Sequence, residues 1–313
     1  MTARVGWCGV RSSQVVHIEE VRTRLAGRFG PAVTGWRAEL PALLDAVAGQ
    51  WQLRLGQAWP AGGTSVVLPC WAEGGEQLVL KLTPELQIAA DEAAALRGWA
   101  GSPHAVLLHD ADLERGALLL ERVQPGTRLA DEPDRWPLED VAPMLSDLRQ
   151  PAALPVGSGL PDLRHRVEFV FELTVGRLRR HPAAAGRVPP GLVQDARLAA
   201  CALAGDGPVR LVHGDLHPAN VLRGGPGRGV VAIDPRPCLG DPAFDAVDWV
   251  LAGGGGEAAV RNRIDRLAGY LDDVDADRVW AWCRGLAVVV AVSLLSRRAD
   301  DQLGCELLGI AAG

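Results

Sequence analysis

The chain has 313 residues and a formal net charge of −6, with 32 lysine and arginine side chains against 38 aspartates and glutamates. This length is enough for one or two domains with a large core. No run of basic residues and no basic patch interleaved with aromatic residues occurs, so nucleic acid is not an expected partner. Six scattered cysteines fit reduced thiols in a cytoplasmic protein. The N-terminus lacks the apolar core of a signal peptide, so we expect no export.

In the first third of the chain, residues 40–48 are the clearest predicted helix. Farther on, a glycine turn precedes Thr64 and Ser65, and an apolar strand follows them. Backbone amides and hydroxyl groups at such a turn can cover nucleotide phosphates. The full GxGxxG pattern is missing, so an ordinary hairpin is the alternative interpretation.

Lys81 is the single lysine among the 32 cationic side chains, and it lies in a predicted strand over residues 77–82. A compact ammonium group can point at one phosphate oxygen, which the planar guanidinium of arginine does less well. The next predicted helix, over residues 86–99, carries Glu92 within an apolar stripe. A buried carboxylate needs a partner, so we expect Glu92 to pair with Lys81 and to position it for nucleotide phosphates. Asp91 and Glu85 are the alternative partners.

A second apolar strand over residues 117–123 ends at a Gln-Pro-Gly turn. We expect the backbone of Glu121 to Val123 to pair with adenine, because this strand would lead from a small lobe into a large one. An ordinary strand end is the alternative. The predicted domains are a nucleotide-binding lobe over residues 1–123 and a catalytic and substrate-binding lobe over residues 124–313.

The second predicted lobe is mainly helical. Its helices are expected near residues 138–149, 163–180, 190–204, 242–252, 257–271 and 275–298. The longest apolar run, over residues 286–295, is half the length of a membrane span, so it predicts a buried helix and no membrane association.

The motif that indicates chemistry is His213-Gly-Asp-Leu-His-Pro-Ala-Asn220, followed by Asp234 after a second apolar segment. Phosphoryl transfer requires a carboxylate that accepts the acceptor's proton and oxygen ligands that hold magnesium against the nucleotide. Asp215 is the predicted base, and Asn220 and Asp234 are the predicted metal ligands. The glycine-rich residues 223–229 are predicted to form a hairpin turn, because no helix follows them to bind phosphate.

His213 and His217 lie four residues apart, as zinc ligands on a helix often do. Gly214 and Pro218 argue against a helix through this segment. The alternative that we favour is that the imidazoles brace the loop by hydrogen bonds.

Together these residues resemble the aminoglycoside phosphotransferases, and within them the branch of streptomycin 6-kinases and hydroxyurea phosphotransferases. The resemblance runs from residues 62–69 through Lys81 and residues 92–97, 116–122 and 213–220 to residues 233–249, and the last stretch is the most specific to this branch. It implies an α+β, two-lobed protein-kinase-like fold with a small β-rich N-lobe and a mostly helical C-lobe, and it implies ATP and Mg²⁺ as cofactors. Ala219 departs from the pattern, since related loops often have glycine there.

The residues also separate this chain from protein kinases, since no Asp-Phe-Gly or Ala-Pro-Glu motif follows the predicted base, and we therefore expect a small acceptor. A polycationic aminoglycoside would favour acidic groups. Several acidic residues are candidates, and each could equally serve structure or solvation. Asp241 would be the N-cap of the next helix, and Asp245 and Asp248 lie along that helix. The others are Glu168 and Glu172 on one helix face and the run Asp272, Asp273, Asp275 and Asp277.

The sequence therefore predicts a cytoplasmic O-phosphotransferase that moves the γ-phosphate of ATP to a hydroxyl group of an aminoglycoside, with the 6-hydroxyl of streptomycin favoured and antibiotic resistance as the result. One alternative is a kinase for hydroxyurea or another small hydroxylated metabolite. Another is a nucleotide-binding pseudokinase without catalysis. No obligatory protein partner is evident.

Overall fold

The computed structural model describes residue 25 and residues 30–59, 63–132, 137–150, 159–271 and 274–313. Within these ranges the chain forms two compact units. The first contains the described residues up to Ala93 together with Leu107–Arg122, and the second contains Ala94–Val106 and Val123–Gly313. The segment Ala94–Val106 thus belongs to the second unit although it precedes residue 123, and the division into a nucleotide-binding lobe and a catalytic lobe stays a prediction.

The first unit is built on one antiparallel sheet of five strands, in the order β1-β2-β3-β5-β4. The strands are β1 (Arg54–Leu55), β2 (Val66–Trp71), β3 (Gln77–Leu82), β4 (Leu108–Asp112) and β5 (Ala117–Glu121). Helix α1 (Thr34–Gln50) buries Leu40, Leu44 and Val47 in a core shared with β2 and β3. Helix α2 (Leu86–Gly98) begins in this unit and ends in the second.

Strand β4 was not predicted. Its sequence, Leu-His-Asp-Ala-Asp, lacks an apolar run, and its pairing with β5 shifts register between Leu108 and Asp110. This strand forms because β5 offers a free edge with which it can pair. The sequence of β4 alone does not indicate that edge.

The second unit is mainly helical. Its helices are α3 (Leu138–Leu148), α4 (Leu163–Arg180), α5 (Pro182–Ala185), α6 (Leu192–Ala204), α7 (Val247–Leu251), α8 (Gly256–Ala268), α9 (Ala276–Leu295) and α10 (Gln302–Ala312). The predicted helix at 242–252 is a 3₁₀ turn (Pro242–Ala246) that runs into α7. Helices α5 and α10 were missed. The sheet-rich first unit and helical second unit confirm the predicted α+β class.

Two short strand pairs in the second unit position the predicted catalytic residues. Strand β6 (Arg210–Val212) pairs with β9 (Cys238–Gly240), and β7 (Val221–Arg223) pairs with β8 (Val230–Ala232). The antiparallel β7 and β8 confirm that residues 223–229 form a hairpin turn. The loop that carries Asp215 and Asn220 therefore begins at β6 and ends at β7.

Helix α9 is the one helix of the described ranges that is long and apolar enough to cross a membrane, and 56% of its most apolar window is buried inside the protein. It packs against α6 and α10 of the same unit. A core helix can be equally long and apolar. The packing of α9 against α6 and α10 confirms the predicted buried helix.

Candidate active site

In the first unit, the ammonium group of Lys81 contacts the carboxylate of Glu92, with 2.5 Å between Nζ and Oε2. Both side chains are almost completely buried, at 6% and 1% exposure. Asp91 instead accepts a hydrogen bond from Gln87, and Glu85 is exposed. The predicted ion pair with Glu92 is confirmed, and the two alternatives are not. The contact of Lys81 with nucleotide phosphates stays a prediction.

Thr64 and Ser65 lie at the start of β2, and both side chains are buried. The carbonyl of Thr64 accepts a hydrogen bond of 3.0 Å from the hydroxyl of Thr83, which ties this segment to the end of β3. Gly62 lies outside the described residues. The backbone of residues 63–65 is thus held in place, and its contact with phosphate stays a prediction.

The segment predicted to pair with adenine is the end of β5 and the residues after it. The amide of Glu121 donates to the carbonyl of Leu107 over 2.9 Å, so this donor already has a partner inside the sheet. Val123 is buried in the second unit. Adenine binding at this segment stays a prediction.

In the second unit, the loop from β6 to β7 turns sharply at Gly214, which has a φ of +75°. A Cβ atom there would lie 2.1 Å from the carbonyl oxygen of Arg236. Only glycine fits this approach of two backbones. The amide of Arg236 in turn donates to the carbonyl of His213 over 2.8 Å, so residues 213 and 214 are pinned to the segment after Asp234.

His213 uses both ring nitrogens inside this loop. Nε2 lies 3.1 Å from the carbonyl oxygen of Ile233, and Nδ1 accepts from the amide of Asp215. The ring stacks on Trp99, whose indole N–H donates to the carbonyl of Leu148. Burial lowers the pKa of His213 to about 4, against the opposing effect of Asp215 and Asp234. A neutral ring with both nitrogens engaged braces the loop and offers no lone pair to zinc.

Asp245 binds the backbone of the same loop. One oxygen of its carboxylate accepts from the amide of His213 over 2.7 Å, and the other accepts from the amide of Gly214 over 3.0 Å. Burial raises the pKa of Asp245 to about 7, although both amides oppose the shift. Of the two roles left open for Asp245, structure and substrate contact, the geometry favours structure.

Asp215, the predicted base, keeps about a third of its side chain exposed, at 32%. Its Oδ1 lies 2.7 Å from Nη2 of Arg166, and its Oδ2 accepts from Nδ2 of Asn220 over 3.2 Å. Nδ2 of Asn220 also donates to the carbonyl of Asp215. His217 caps the short 3₁₀ turn that carries Asn220, since its Nδ1 accepts from the amide of Ala219.

The predicted metal ligands are adjacent in the second unit. The amide of Ile233 donates to the carbonyl of Asn220 over 2.9 Å, which places Asp234 beside Asn220. The side-chain nitrogen of Asn220 faces Asp215, so its amide oxygen is the atom left to bind a cation. Asp234 has a φ of +55°, unusual for a residue other than glycine, and its Oδ1 lies 3.5 Å from Nη2 of Arg236. Amide and carboxylate oxygens are the donors that magnesium prefers, so this pair fits that ion.

The other acidic candidates differ in their surroundings. Asp241 is 3% exposed, caps the following 3₁₀ turn and binds Arg278 and Trp282, which favours a structural role. Burial raises the pKa of Asp248 to about 6, with His217, Asp215 and Arg166 as its charged neighbours.

Four of the remaining acidic candidates are described in the second unit, and one of them, Asp277, is exposed in the first turn of α9. Glu168 pairs with Arg164, and Glu172 is exposed. Asp275 caps α9, whereas Asp272 and Asp273 lie outside the described residues. Contact of any of these carboxylates with substrate stays a prediction.

Comparison with known proteins shows the family of the chain. A family model described as aminoglycoside/hydroxyurea antibiotic resistance kinase matches residues 50–296. The chain belongs to this family. It is 32% identical to a hydroxyurea phosphotransferase of Kitasatospora aureofaciens, over 89% of this chain and 80% of that protein. It is also 32% identical to a streptomycin 6-kinase of Streptomyces glaucescens, over 88% of this chain and 89% of that protein.

Among solved structures, a thermostable mutant of the aminoglycoside phosphotransferase APH(4)-Ia in ternary complex with ADP and hygromycin B has a TM-score of 0.53. The match is 14% identical and covers 86% of this chain and 98% of that chain. It shows a shared fold, and the predicted protein-kinase-like fold is confirmed.

Proposed function

We propose that this protein transfers the γ-phosphoryl group of ATP to a hydroxyl group of a small antibiotic, with the 6-hydroxyl of streptomycin as the first candidate. The observation that carries the proposal is the setting of Asp215. Its carboxylate is partly exposed, is held by Asn220 and Arg166, and lies in a loop that ends beside Asp234. This arrangement suits a base that must receive a proton from an outside molecule.

In the proposed step, the acceptor hydroxyl gives its proton to Asp215 as its oxygen attacks the γ-phosphorus. The new bond joins that oxygen to phosphorus, and the bond from phosphorus to the bridging oxygen breaks, so that its electron pair leaves with ADP. A carboxylate has about four lone-pair sites. Arg166 and Asn220 each occupy one of these sites, which leaves room for the hydroxyl.

The other residues contribute charge and position. Lys81, fixed by Glu92, would contact the α- and β-phosphates, with the backbone around Thr64 and Ser65 as a further phosphate contact. Asn220 and Asp234 would hold Mg²⁺, which when bound neutralises charge on the nucleotide phosphates. The backbone near Glu121 and Val123 would pair with adenine.

Hydroxyurea is the second candidate acceptor, because a hydroxyurea phosphotransferase is as similar to this chain as a streptomycin 6-kinase is. The two compounds differ in charge: streptomycin is a large cation with two guanidinium groups, whereas hydroxyurea is small and neutral. The exposed Glu172 and the half-buried Asp248 and Glu168 are groups that would favour the cation.

The test is consumption of ATP by the purified protein with Mg²⁺, measured with streptomycin, other aminoglycosides and hydroxyurea, and compared with GTP as donor. Mass spectrometry and NMR would locate the phosphate on any product. We expect streptomycin-dependent turnover that yields the 6-phosphate. Turnover with hydroxyurea alone would select the second candidate. ATP binding without turnover of any compound would support the nucleotide-binding pseudokinase instead.

The charge of the acceptor site can be tested separately with E172Q. If streptomycin binds beside Glu172, its KM rises in this variant, and the rise is smaller at high salt because exposed charges are screened. A neutral acceptor would show neither effect.

A further inference from the structure

Arg166, near the start of α4, is a residue outside the predicted catalytic set that binds the carboxylate of Asp215 directly. Its Nη2 lies 2.7 Å from Oδ1 of Asp215, and its Nε donates to the carbonyl of Gly214 over 2.6 Å. The arginine side chain is 12% exposed, against 32% for Asp215. One planar guanidinium group thus holds both the carboxylate and the adjacent backbone of the loop, a geometry that lysine cannot reproduce.

The start of α4 is itself fixed against the strand pair that delivers the loop. Asp162 caps the helix by accepting from the amide of His165 over 2.8 Å. The amide of Leu239 in β9 donates to the carbonyl of Pro161 over 2.9 Å. Leu163 packs on Gly240, where an added Cβ would lie 2.4 Å from Cβ of Leu163. Because β9 pairs with β6, which leads into Gly214, Arg166 and Asp215 are positioned by the same strand pair.

The two hydrogen bonds to Asp215 come from opposite ends of its carboxylate. Arg166 binds Oδ1 and Asn220 binds Oδ2, so rotation about the last side-chain bond would break both contacts. The guanidinium also has other acidic neighbours: burial raises the pKa of Asp245 and Asp248, and Arg166 opposes both shifts. Loss of Arg166 would remove one of the two contacts that fix the orientation of the Asp215 carboxylate and leave only that of Asn220 to Oδ2.

We infer that Arg166 is a positioning residue that orients the carboxylate of Asp215 towards the acceptor hydroxyl, an inference that rests on the proposed function. It acts through Asp215 and the adjacent backbone of Gly214. A displacement of a reacting group by about 1 Å can reduce the rate about 10²-fold. The expected consequence of its removal is a loss in kcat with little change in the binding of ATP.

The experiment compares R166A with R164A, which removes an exposed arginine of the same helix that pairs with Glu168. Transfer to the acceptor and hydrolysis of MgATP by water are both measured, together with ATP affinity by calorimetry and thermal unfolding. We expect R166A to lower kcat about 10²-fold while ATP affinity stays unchanged, and R164A to keep the kcat of the wild type. Added methylguanidinium should restore part of the activity of R166A with saturation, and R166K should be intermediate.

The outcomes separate the two proposals. Turnover in R166A equal to that in R164A would overturn the role of Arg166 and leave the kinase assignment standing. A folded R166A with low kcat that methylguanidinium does not restore and R166K does not improve would mean that Arg166 only supports the fold. Absence of both transfer and hydrolysis in the wild type would overturn the proposed function, and the role of Arg166 with it.

Discussion

Lys81 in the first unit and Asp215 in the second are both charged groups held in place, but by different means. Lys81 is held by a buried ion pair with Glu92, 11 residues away in the chain. Asp215 depends on many contacts: Arg166 and Asn220 bind its carboxylate, while His213 and Asp245 brace its backbone. A phosphate-binding cation needs only a fixed charge, whereas a base must also present one oxygen in one direction.

This difference predicts that substitution of Asp215, which several residues hold in place, has the largest effect on kcat. D215N removes the proposed proton acceptor but keeps the size of the side chain. We expect kcat to fall about 10⁴-fold, because the general base is lost together with its orientation. Calorimetry should show unchanged affinity for ATP. Wild-type turnover in D215N would refute its assignment as the base.

The ion-paired lysine of the first unit is tested by K81M, which replaces the ammonium group by an uncharged side chain of similar length. We expect kcat/KM for ATP to fall about 10³-fold, as for the loss of one preorganised group that stabilises charge. E92Q should show a smaller decrease, because the ammonium group remains but loses its ionic partner.

E85Q and D91N are the matched controls, since they change the two carboxylates that do not pair with Lys81. Both should retain wild-type kinetics. Equal losses in E92Q and D91N would show that the ion pair does not position Lys81 in solution.

The hydrogen bonds between the Asp245 carboxylate and the backbone that precedes Asp215 are tested by D245N. Asparagine offers one acceptor oxygen where the carboxylate has two, so the amide of His213 or of Gly214 loses its partner. We expect kcat to fall about 10²-fold through displacement of the loop. D241N is the control, because Asp241 is also a buried carboxylate but binds Arg278 and Trp282 away from the loop. It should lower the unfolding temperature and leave kcat unchanged.

The smallest predicted effect concerns His213 and pH. Its pKa is lowered by burial from 6.5 to about 4, so the unfolded chain binds the proton more tightly than the folded protein does. The free energy of unfolding therefore falls as the pH drops from 6.5 towards 4, by about 2 kcal/mol from this residue at about pH 5.

The comparison that isolates this effect is wild type against H213N in urea denaturation at neutral and at acidic pH. H213N should be less stable at neutral pH because it loses the brace. The difference between the two proteins should shrink on acidification, because asparagine does not titrate. A difference that is independent of pH would show that His213 is exposed to solvent in the folded state.

Much of the fold followed from local patterns. The helix over 163–180 and the strand over 77–82 have the predicted bounds, because apolar periodicity and capping residues act within one element. Helix α10 was missed although Asp301 caps its start, since Gly304 and Gly309 lower the helix propensity of this short segment. Strand β4 was missed because its edge position next to β5, and not its own sequence, makes it a strand.

The sequence by itself determined the chemical types of the site: a lone lysine with a nearby buried glutamate, and an Asp, Asn and Asp at the spacing of a phosphoryl-transfer centre. These residues lie close in the chain or at the ends of adjoining strands, so spacing constrains them. Only the tertiary structure decided which groups orient Asp215. Arg166 is 49 residues from Asp215, and Asp245 is 31 residues from Gly214. Contacts over such separations depend on how α4 and the 3₁₀ turn before α7 pack on β6 and β9, which no local pattern encodes.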